Sequence, residues 1–194
     1  MGFASVLSFA RKLIEERIER GEPAVDATAG NGVDTLFLAK ASGRKGTIYA
    51  FDIQEKALDR TRQRLSAENG ISDVHVMCMS HHLMEDVVPA CFHGKVAAIM
   101  FNLGYLPDGE DKDVITQTDT TLLALEAALR LLRANGIITI VLYPGHPGGA
   151  EETDAVIAWA NDLPMNRFDA MIYRFVNRDP NAAYLLAIIK RHIL

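Results

Sequence analysis

Glycines and carboxylates stand in a pattern that could hold a nucleoside. Gly30 and Gly32 follow a short apolar run and precede a helix-like stretch, so the backbone there can turn tightly and approach a ligand closely. Asp52 ends the next apolar run about twenty residues later, where a carboxylate can accept hydrogen bonds from ribose hydroxyls. The spacing predicts a nucleoside-binding loop at residues 26–34.

The charges around this loop favour S-adenosylmethionine over a dinucleotide. A dinucleotide fingerprint needs a third glycine, which this loop lacks, and Asp34 lies where a pyrophosphate would meet the helix N-terminus. S-adenosylmethionine carries a sulfonium and an ammonium group and no phosphate, which suits Asp26 and Asp34. We predict it as the cofactor, with a nicotinamide oxidoreductase as the alternative. The residues expected to line it are Asp26, Gly30, Asn31, Gly32, Asp34, Asp52, Ile53, Gln54, Ser80 and His81.

A second candidate site follows the fourth apolar run, at residues 101–107. The side-chain carbonyl of Asn102 and the backbone carbonyl of Leu103 could accept hydrogen bonds from an amine and aim its lone pair at an electrophilic methyl group. Tyr105 could stack on a base or close the pocket. The stretch resembles the Asn-Pro-Pro-Tyr loop of amino-group methyltransferases, with Leu-Gly in place of Pro-Pro. We predict catalytic roles for Asn102 and Tyr105, and substrate contacts at Leu103 and Gly104.

Histidines and tyrosines in later loops extend the predicted site. His146 could act as a general base near neutral pH or could order the glycine-rich turn after the fifth strand, and both interpretations stay open. Tyr143 and Tyr184 are predicted to contact the substrate. His81 and His82 do not predict a metal site, because neighbouring side chains of an extended chain point in different directions.

Alternating strands and helices must position these residues. Alternation of this kind predicts a doubly wound α/β sheet, in which ligands bind at the carboxyl ends of the strands. An amphipathic N-terminal helix ending near Gly21 is expected to be part of one domain, residues 1–194. Strands are predicted at 23–27, 47–51, 74–78, 96–101 and 136–142, separated by helices, and two closing strands at 168–175 and 183–189.

Composition limits the classes of function. The chain has 194 residues and a formal net charge of −5, which argues against a strongly basic nucleic-acid module but not against an enzyme with a small RNA contact. Cys78 and Cys91 are too few for a disulfide framework or a four-thiolate zinc site, and we expect buried, inert thiols. The sequence contains neither a recognisable signal peptide nor an apolar run of about 18 residues, so a cytoplasmic protein is expected.

These stretches together resemble the rRNA methylase family of small class I methyltransferases, similar to a tRNA wobble-uridine enzyme of Gram-positive bacteria. Residues 26–39, 51–54, 101–107 and 143–147 carry the resemblance, which spans nearly the whole chain. It implies a Rossmann-like, mostly parallel sheet of seven strands whose last strand is antiparallel. His82 and the pair Ala182-Ala183 depart from the family pattern.

The resemblance also implies a reaction and a partner. Characterised members methylate the 5-aminomethyl group of 2-thiouridine at tRNA position 34, so the expected partner is the anticodon region of tRNA, with a homodimer as an option. The alternatives are an rRNA or small-molecule amine methyltransferase and a module that binds the cofactor without activity. Binding to a membrane is not expected.

Overall fold

A computed structural model describes residues 2–104 and 115–192 of the chain. Seven strands form one sheet in the order β3-β2-β1-β4-β5-β7-β6. The strands are β1 (Ala24–Asp26), β2 (Thr47–Asp52), β3 (Asp73–Cys78), β4 (Val96–Asn102), β5 (Leu132–Leu142), β6 (Phe168–Tyr173) and β7 (Tyr184–Lys190). The helices are α1 (Val6–Glu15), α2 (Val33–Ser42), α3 (Glu55–Ser66), the short α4 (Met84–Val87), α5 (Thr118–Leu131) and α6 (Gly149–Asn161), with single 3-10 turns at His81–Leu83 and Ala90–Phe92.

Strands β1 to β5 pair in parallel, and β7 pairs antiparallel with both β5 and β6. Both faces of the sheet are buried, since the adjacent residues Ile137 and Ile138 of β5 belong to different apolar clusters. One cluster contains Leu38 of α2 and the other contains Leu125 of α5. This layering explains the near-continuous apolar runs of the central strands and confirms the predicted doubly wound sheet with an antiparallel last strand.

The fifth strand begins earlier than predicted. Pairing starts at Leu132, which lies opposite Val96, and the register then shifts before Ala98 pairs with Ile137. Asn135 adopts a left-handed backbone with φ 60° within this irregular stretch. Leu131 and Leu132 are both apolar and lie on either side of the boundary between α5 and β5, so the apolar pattern does not mark where the helix ends.

Two other expectations are wrong in detail. The N-terminal helix ends at Glu15 rather than near Gly21, although Ile18 beyond it is still buried. Cys78 and Cys91 are free, as expected, but exposed. The cause is their position: β3 is an edge strand, and Cys91 lies in a short surface turn. Over the described residues, no helix is both long and apolar enough to cross a membrane.

Candidate active site

The glycine loop and the end of β2 form one half of the candidate site. The Asp52 carboxylate accepts the backbone N–H of Gly30 at 2.8 Å and that of Gln54 at 2.9 Å, one on each oxygen. Burial raises the pKa of Asp52, while the two donated N–H groups act in the opposite direction. A carboxylate has about four acceptor positions, so two remain for hydroxyl groups of a ligand. The local backbone fixes this carboxylate before any ligand binds.

Gly32 is required where α2 begins. Its φ is 76°, and a Cβ there would stand 2.9 Å from the Cα of Thr61 on α3. The Thr61 hydroxyl donates to the carbonyl of Gly30 at 2.8 Å. The loop is therefore held by close contact with α3, and both the backbone conformation and the space exclude a side chain.

Asp26 lies beneath the loop and is almost fully buried, with 1% of its surface exposed. It accepts the Thr35 hydroxyl at 2.6 Å and the Thr28 N–H at 3.2 Å. Burial, followed by the nearby charge of Asp34, raises the pKa of Asp26 to about 7. Asp26 therefore stabilises the start of α2 through hydrogen bonds from beneath the glycine loop. The charge of its carboxyl group changes with pH near neutrality.

The other half of the candidate site centres on Asn102, at the end of β4. Its side-chain Nδ2 donates to one oxygen of Asp34 on α2, and its backbone N–H donates to the Thr28 hydroxyl at 2.7 Å. Arg11 of α1 donates to the other Asp34 oxygen from Nε at 2.9 Å and from its terminal nitrogen at 2.6 Å. The Asn102 amide is thus held in one orientation by the Asp34 carboxylate, which is itself paired with Arg11.

This orientation leaves one acceptor atom of Asn102 without a partner. The Oδ1 atom is buried and accepts no hydrogen bond from any described residue. Unsatisfied buried polar atoms are costly and uncommon, and they often mark places where a ligand completes the bonding. The atom of Asn102 left for a ligand is therefore a carbonyl oxygen, which can accept from an amine N–H.

Tyr143 and His146 lie on the same side of the sheet as Asn102. A Cβ on Gly104, whose φ is 121°, would stand 3.1 Å from Nε2 of His146 and 3.8 Å from the Tyr143 Cβ. Burial, with Asp34 nearby, raises the pKa of the Tyr143 hydroxyl. His146 Nδ1 lies 2.9 Å from the Pro147 carbonyl and must donate to it, so a neutral ring carries its lone pair on Nε2.

A buried carboxylate on α6 holds Thr116, which is bonded to Gly104. Gly104 and Thr116 are joined twice, by the Thr116 N–H to the Gly104 carbonyl and by the Gly104 N–H to the Thr116 hydroxyl, both 2.9 Å. The Thr116 hydroxyl donates to Glu152 of α6 at 2.6 Å, and Thr121 donates to the other Glu152 oxygen at 2.7 Å. These bonds hold Gly104 and Thr116 together beside the candidate site.

His81 follows β3 and is buried, with its Nε2 unpartnered among the described residues. Burial lowers the pKa of His81 to about 4, although a hydrogen bond to the Ala27 backbone acts in the opposite direction. The ring is therefore neutral near pH 7. Its ring meets Phe101 edge-on at 5.9 Å between centroids. Ser80 instead bonds through its hydroxyl to Nδ1 of His82 at 2.8 Å. A neutral, buried imidazole with a vacant acceptor nitrogen is suited to a donor on a ligand.

The remaining predicted residues differ in their burial and in the face of the sheet on which they lie. Asn31 accepts from Arg64 at its carbonyl, and Ile53 is 56% exposed beside the Asp52 carboxylate. Leu103 is buried in the core. Tyr184 packs into the cluster on the α5 face, on the opposite side of the sheet from Asn102, so the structure does not bring it to the amine-binding half. Tyr105 lies outside the described residues.

Sequence reasoning missed four residues that shape the site. These residues are Arg11, Thr61, Thr116 and Glu152, and none of them belongs to the motifs described above. Their partners lie far away in sequence: Arg11 and Asp34 are 23 residues apart, and Thr116 and Glu152 are 36 apart. One signal was available, since an arginine on the inward side of an amphipathic helix indicates a buried partner.

The residues fit S-adenosylmethionine on two structural observations. The loop at Gly32 admits close backbone approach, and two of the buried polar atoms without a partner, His81 Nε2 and Asn102 Oδ1, lie at this edge of the sheet. Asp52 offers acceptors for a ribose. Across residues 2–104 and 115–192, no three His, Cys, Asp or Glu side chains are grouped to hold a metal ion.

Comparison with known proteins places the chain among methyltransferases. The family described as "Putative rRNA methylase" matches residues 48–189. The "tRNA (mnm(5)s(2)U34)-methyltransferase, chloroplastic" of Arabidopsis thaliana is 40% identical in an alignment of 185 positions, which covers 91% of this chain and 66% of the plant protein. The chain thus spans just under two thirds of that relative's length.

Solved structures give the same result. A "putative rRNA-methylase" from Clostridium thermocellum superposes with a TM-score of 0.92 at 35% identity, covering 98% of this chain and 100% of that one. A "putative methyltransferase" from Streptococcus mutans, solved in complex with SAH, gives 0.85 at 32% identity, covering 97% and 99%. These matches confirm the predicted enzyme class, an S-adenosylmethionine-dependent methyltransferase, and the oxidoreductase alternative is not supported.

Proposed function

Because this chain belongs to the family described as "Putative rRNA methylase", we propose that it methylates an amine on RNA, the 5-aminomethyl group of (2-thio)uridine at tRNA wobble position 34. The name of the plant relative, at 40% identity, supports the substrate. The structural observation that carries the proposal is the buried, unpartnered Oδ1 of Asn102, an acceptor suited to an amine. We take residues 1–194 as one domain; the cytoplasmic location and the homodimer stay predictions.

The cofactor half of the site holds and orients the methyl donor. S-adenosylmethionine supplies a methyl group on a positively charged sulfur, and the carbon–sulfur bond breaks as the acceptor nitrogen bonds to that carbon. Asp52 is positioned to accept from the ribose hydroxyls, since its two backbone hydrogen bonds leave acceptor positions open. The neutral His81 offers an acceptor nitrogen to a donor on the adenine or on the amino-acid end.

The acceptor half holds the amine. Asn102 Oδ1 and the Leu103 carbonyl accept amine N–H bonds, and this directs the nitrogen lone pair at the methyl carbon. Such chemistry depends mainly on in-line positioning and on removal of one amine proton. The imidazole of His146 stands beside Gly104, two residues after Asn102, so His146 is our candidate to receive that proton.

The test is mass spectrometry of tRNA nucleosides. Bulk tRNA from a strain lacking the gene is incubated with the purified protein and S-adenosylmethionine, then digested. The proposal expects a methylaminomethyl nucleoside to appear as its unmethylated precursor disappears. Asn102→Ala serves as the inactive control, and Glu68→Gln, which removes one side of an exposed ion pair with Lys40, serves as the active one. An unchanged precursor with a protein that binds S-adenosylhomocysteine would overturn the wobble assignment.

The family description favours a second candidate, methylation of an amine on rRNA. The same Asn102 acceptor would serve this reaction. The two candidates therefore differ in the RNA that carries the amine and not in the chemistry of the transfer. The same incubation with ribosomal RNA from the deletion strain separates the two. Transfer of radiolabelled methyl groups to rRNA, with none to tRNA, would favour this candidate.

A further inference from the structure

The turn between β6 and β7, residues 174–183, lies at the same edge of the sheet as the candidate active site. Tyr184 pairs with Leu142 at the carboxyl end of β5, so the antiparallel β7 begins where β5 ends. The turn touches the loop after β5: a Cβ on Gly145 would stand 3.1 Å from the Asn181 carbonyl. Its surface is therefore continuous with the loop that carries His146.

Aromatic and apolar side chains are exposed on this surface. Phe3, which precedes α1, is 84% exposed, and Val176 is 98% exposed. The ring of Phe3 meets the ring of Phe175 edge-on, with 6.4 Å between centroids. The guanidinium of Arg178 lies over Phe175, with its carbon 3.9 Å from the ring centroid. Phe175 itself is half-buried, but the exposed Arg178 on its face and the exposed ring of Phe3 are planar groups on which nucleic-acid bases stack.

The positive charges on this surface are not neutralised by the rest of the described chain. Arg174 donates to the Pro180 carbonyl at 2.9 Å and lies 5.3 Å from the Tyr184 centroid. Neither Arg174 nor Arg178 has a carboxylate within 4 Å among residues 2–104 and 115–192. Asp179, the nearest acid in sequence, accepts the backbone N–H of Asn181 instead. In an acidic protein, two uncompensated arginines favour an anionic partner.

We propose that Phe3, Arg174, Phe175 and Arg178, which we call the arginine–aromatic cluster, bind the RNA strand next to the acceptor nucleotide. A base stacks on the Arg178 guanidinium, whose other face rests on Phe175, beside the exposed Phe3 ring, and Arg174 contacts a phosphate. The inference rests on the proposed RNA substrate and adds where that RNA lies. A local platform of this kind reconciles an RNA substrate with a net charge of −5.

The test uses the double variant Phe175→Ala/Arg178→Ala. Because one base stack contributes about 1–3 kcal/mol, KM for tRNA should rise about 5- to 150-fold, with kcat at saturating tRNA and affinity for S-adenosylhomocysteine within twofold of wild type. Arg167→Ala is the matched control: Arg167 is an exposed arginine stacked on Phe168 at the opposite end of β6, and its loss should leave KM unchanged. An unchanged KM for tRNA in the double variant would overturn the proposal while leaving the proposed function intact.

A second measurement is independent of methylation. Fluorescence anisotropy with labelled oligouridylate should show salt-dependent binding that the double variant loses and Arg167→Ala retains. If wild type binds oligouridylate through the cluster but methylates no tRNA, the wobble assignment fails and the RNA surface stands. If sedimentation shows that the double variant dissociates a dimer while oligouridylate binding is unchanged, the cluster is an interface between copies of the chain and the proposal is wrong.

Discussion

The cofactor half and the acceptor half of the candidate site are held in different ways. Around Asp52 and Gly32, backbone N–H groups and close contact with α3 fix the geometry. Around Asn102, charged side chains of two helices fix it, Arg11 of α1 and Asp34 of α2. The first half therefore depends on backbone conformation and space, and the second half depends on charge.

The largest expected effect comes from removing the acceptor atom. Asn102→Ala deletes the Oδ1 that we propose holds the amine, and turnover should fall about 100- to 1,000-fold, as when other preorganised polar groups are removed from active sites. Affinity for S-adenosylhomocysteine, measured by calorimetry, should stay within threefold. Comparable losses of both quantities would mean that the two halves are not separable at this residue.

The next effect tests the cofactor half. Gly32→Ala places a Cβ 2.9 Å from the Thr61 backbone at a φ of 76°, so affinity for S-adenosylhomocysteine should fall about 10- to 100-fold as the loop shifts. Gly94→Ala is the matched control, with a φ of 70° and nothing within 4 Å of the new Cβ. Equal affinity losses in both variants would show that contact with α3 is not what holds the loop.

A smaller effect distinguishes two roles for Asp34, positioning of Asn102 and binding of the cofactor. If Asp34 positions Asn102, Asp34→Asn should lower kcat about tenfold and change cofactor affinity little, because only the charge that binds Arg11 and aligns the amide is lost. Arg11→Ala should also lower kcat. A fall in cofactor affinity without a change in kcat would instead assign Asp34 to the cofactor, as the sequence predicts.

The smallest effect on turnover is expected at Asp26, whose influence lies in stability. Its pKa is raised from 3.8 to about 7, so the folded protein binds a proton that the unfolded chain releases. This contribution to stability is present in full below pH 4 and is lost as pH rises through 7. Asp26→Asn should flatten the dependence of the urea midpoint between pH 5 and about 8. An identical pH profile in the variant would refute the raised pKa.

The contrast between the two halves also explains which parts of the fold and of the candidate site can be predicted from the sequence. The strands around the glycine loop follow from apolar runs, and Asp52 follows from its position at the end of the next run, because both are patterns of the sequence itself. The Arg11–Asp34 pair and the buried Glu152 depend on how helices pack, and a charged residue in a helix is usually exposed. The face on which Tyr184 lies, opposite Asn102, follows from the antiparallel pairing of β7, and its predicted contact with the substrate stays a prediction.

The double link between Gly104 and Thr116 connects the end of β4 to helix α6. The Glu152 carboxylate of α6 accepts from the Thr116 and Thr121 hydroxyls, and the Thr116 hydroxyl in turn accepts the Gly104 N–H. A displacement of α6 would therefore be transmitted through Glu152 and Thr116 to Gly104, two residues after Asn102. The end of β4 and helix α6 are in this way mechanically coupled.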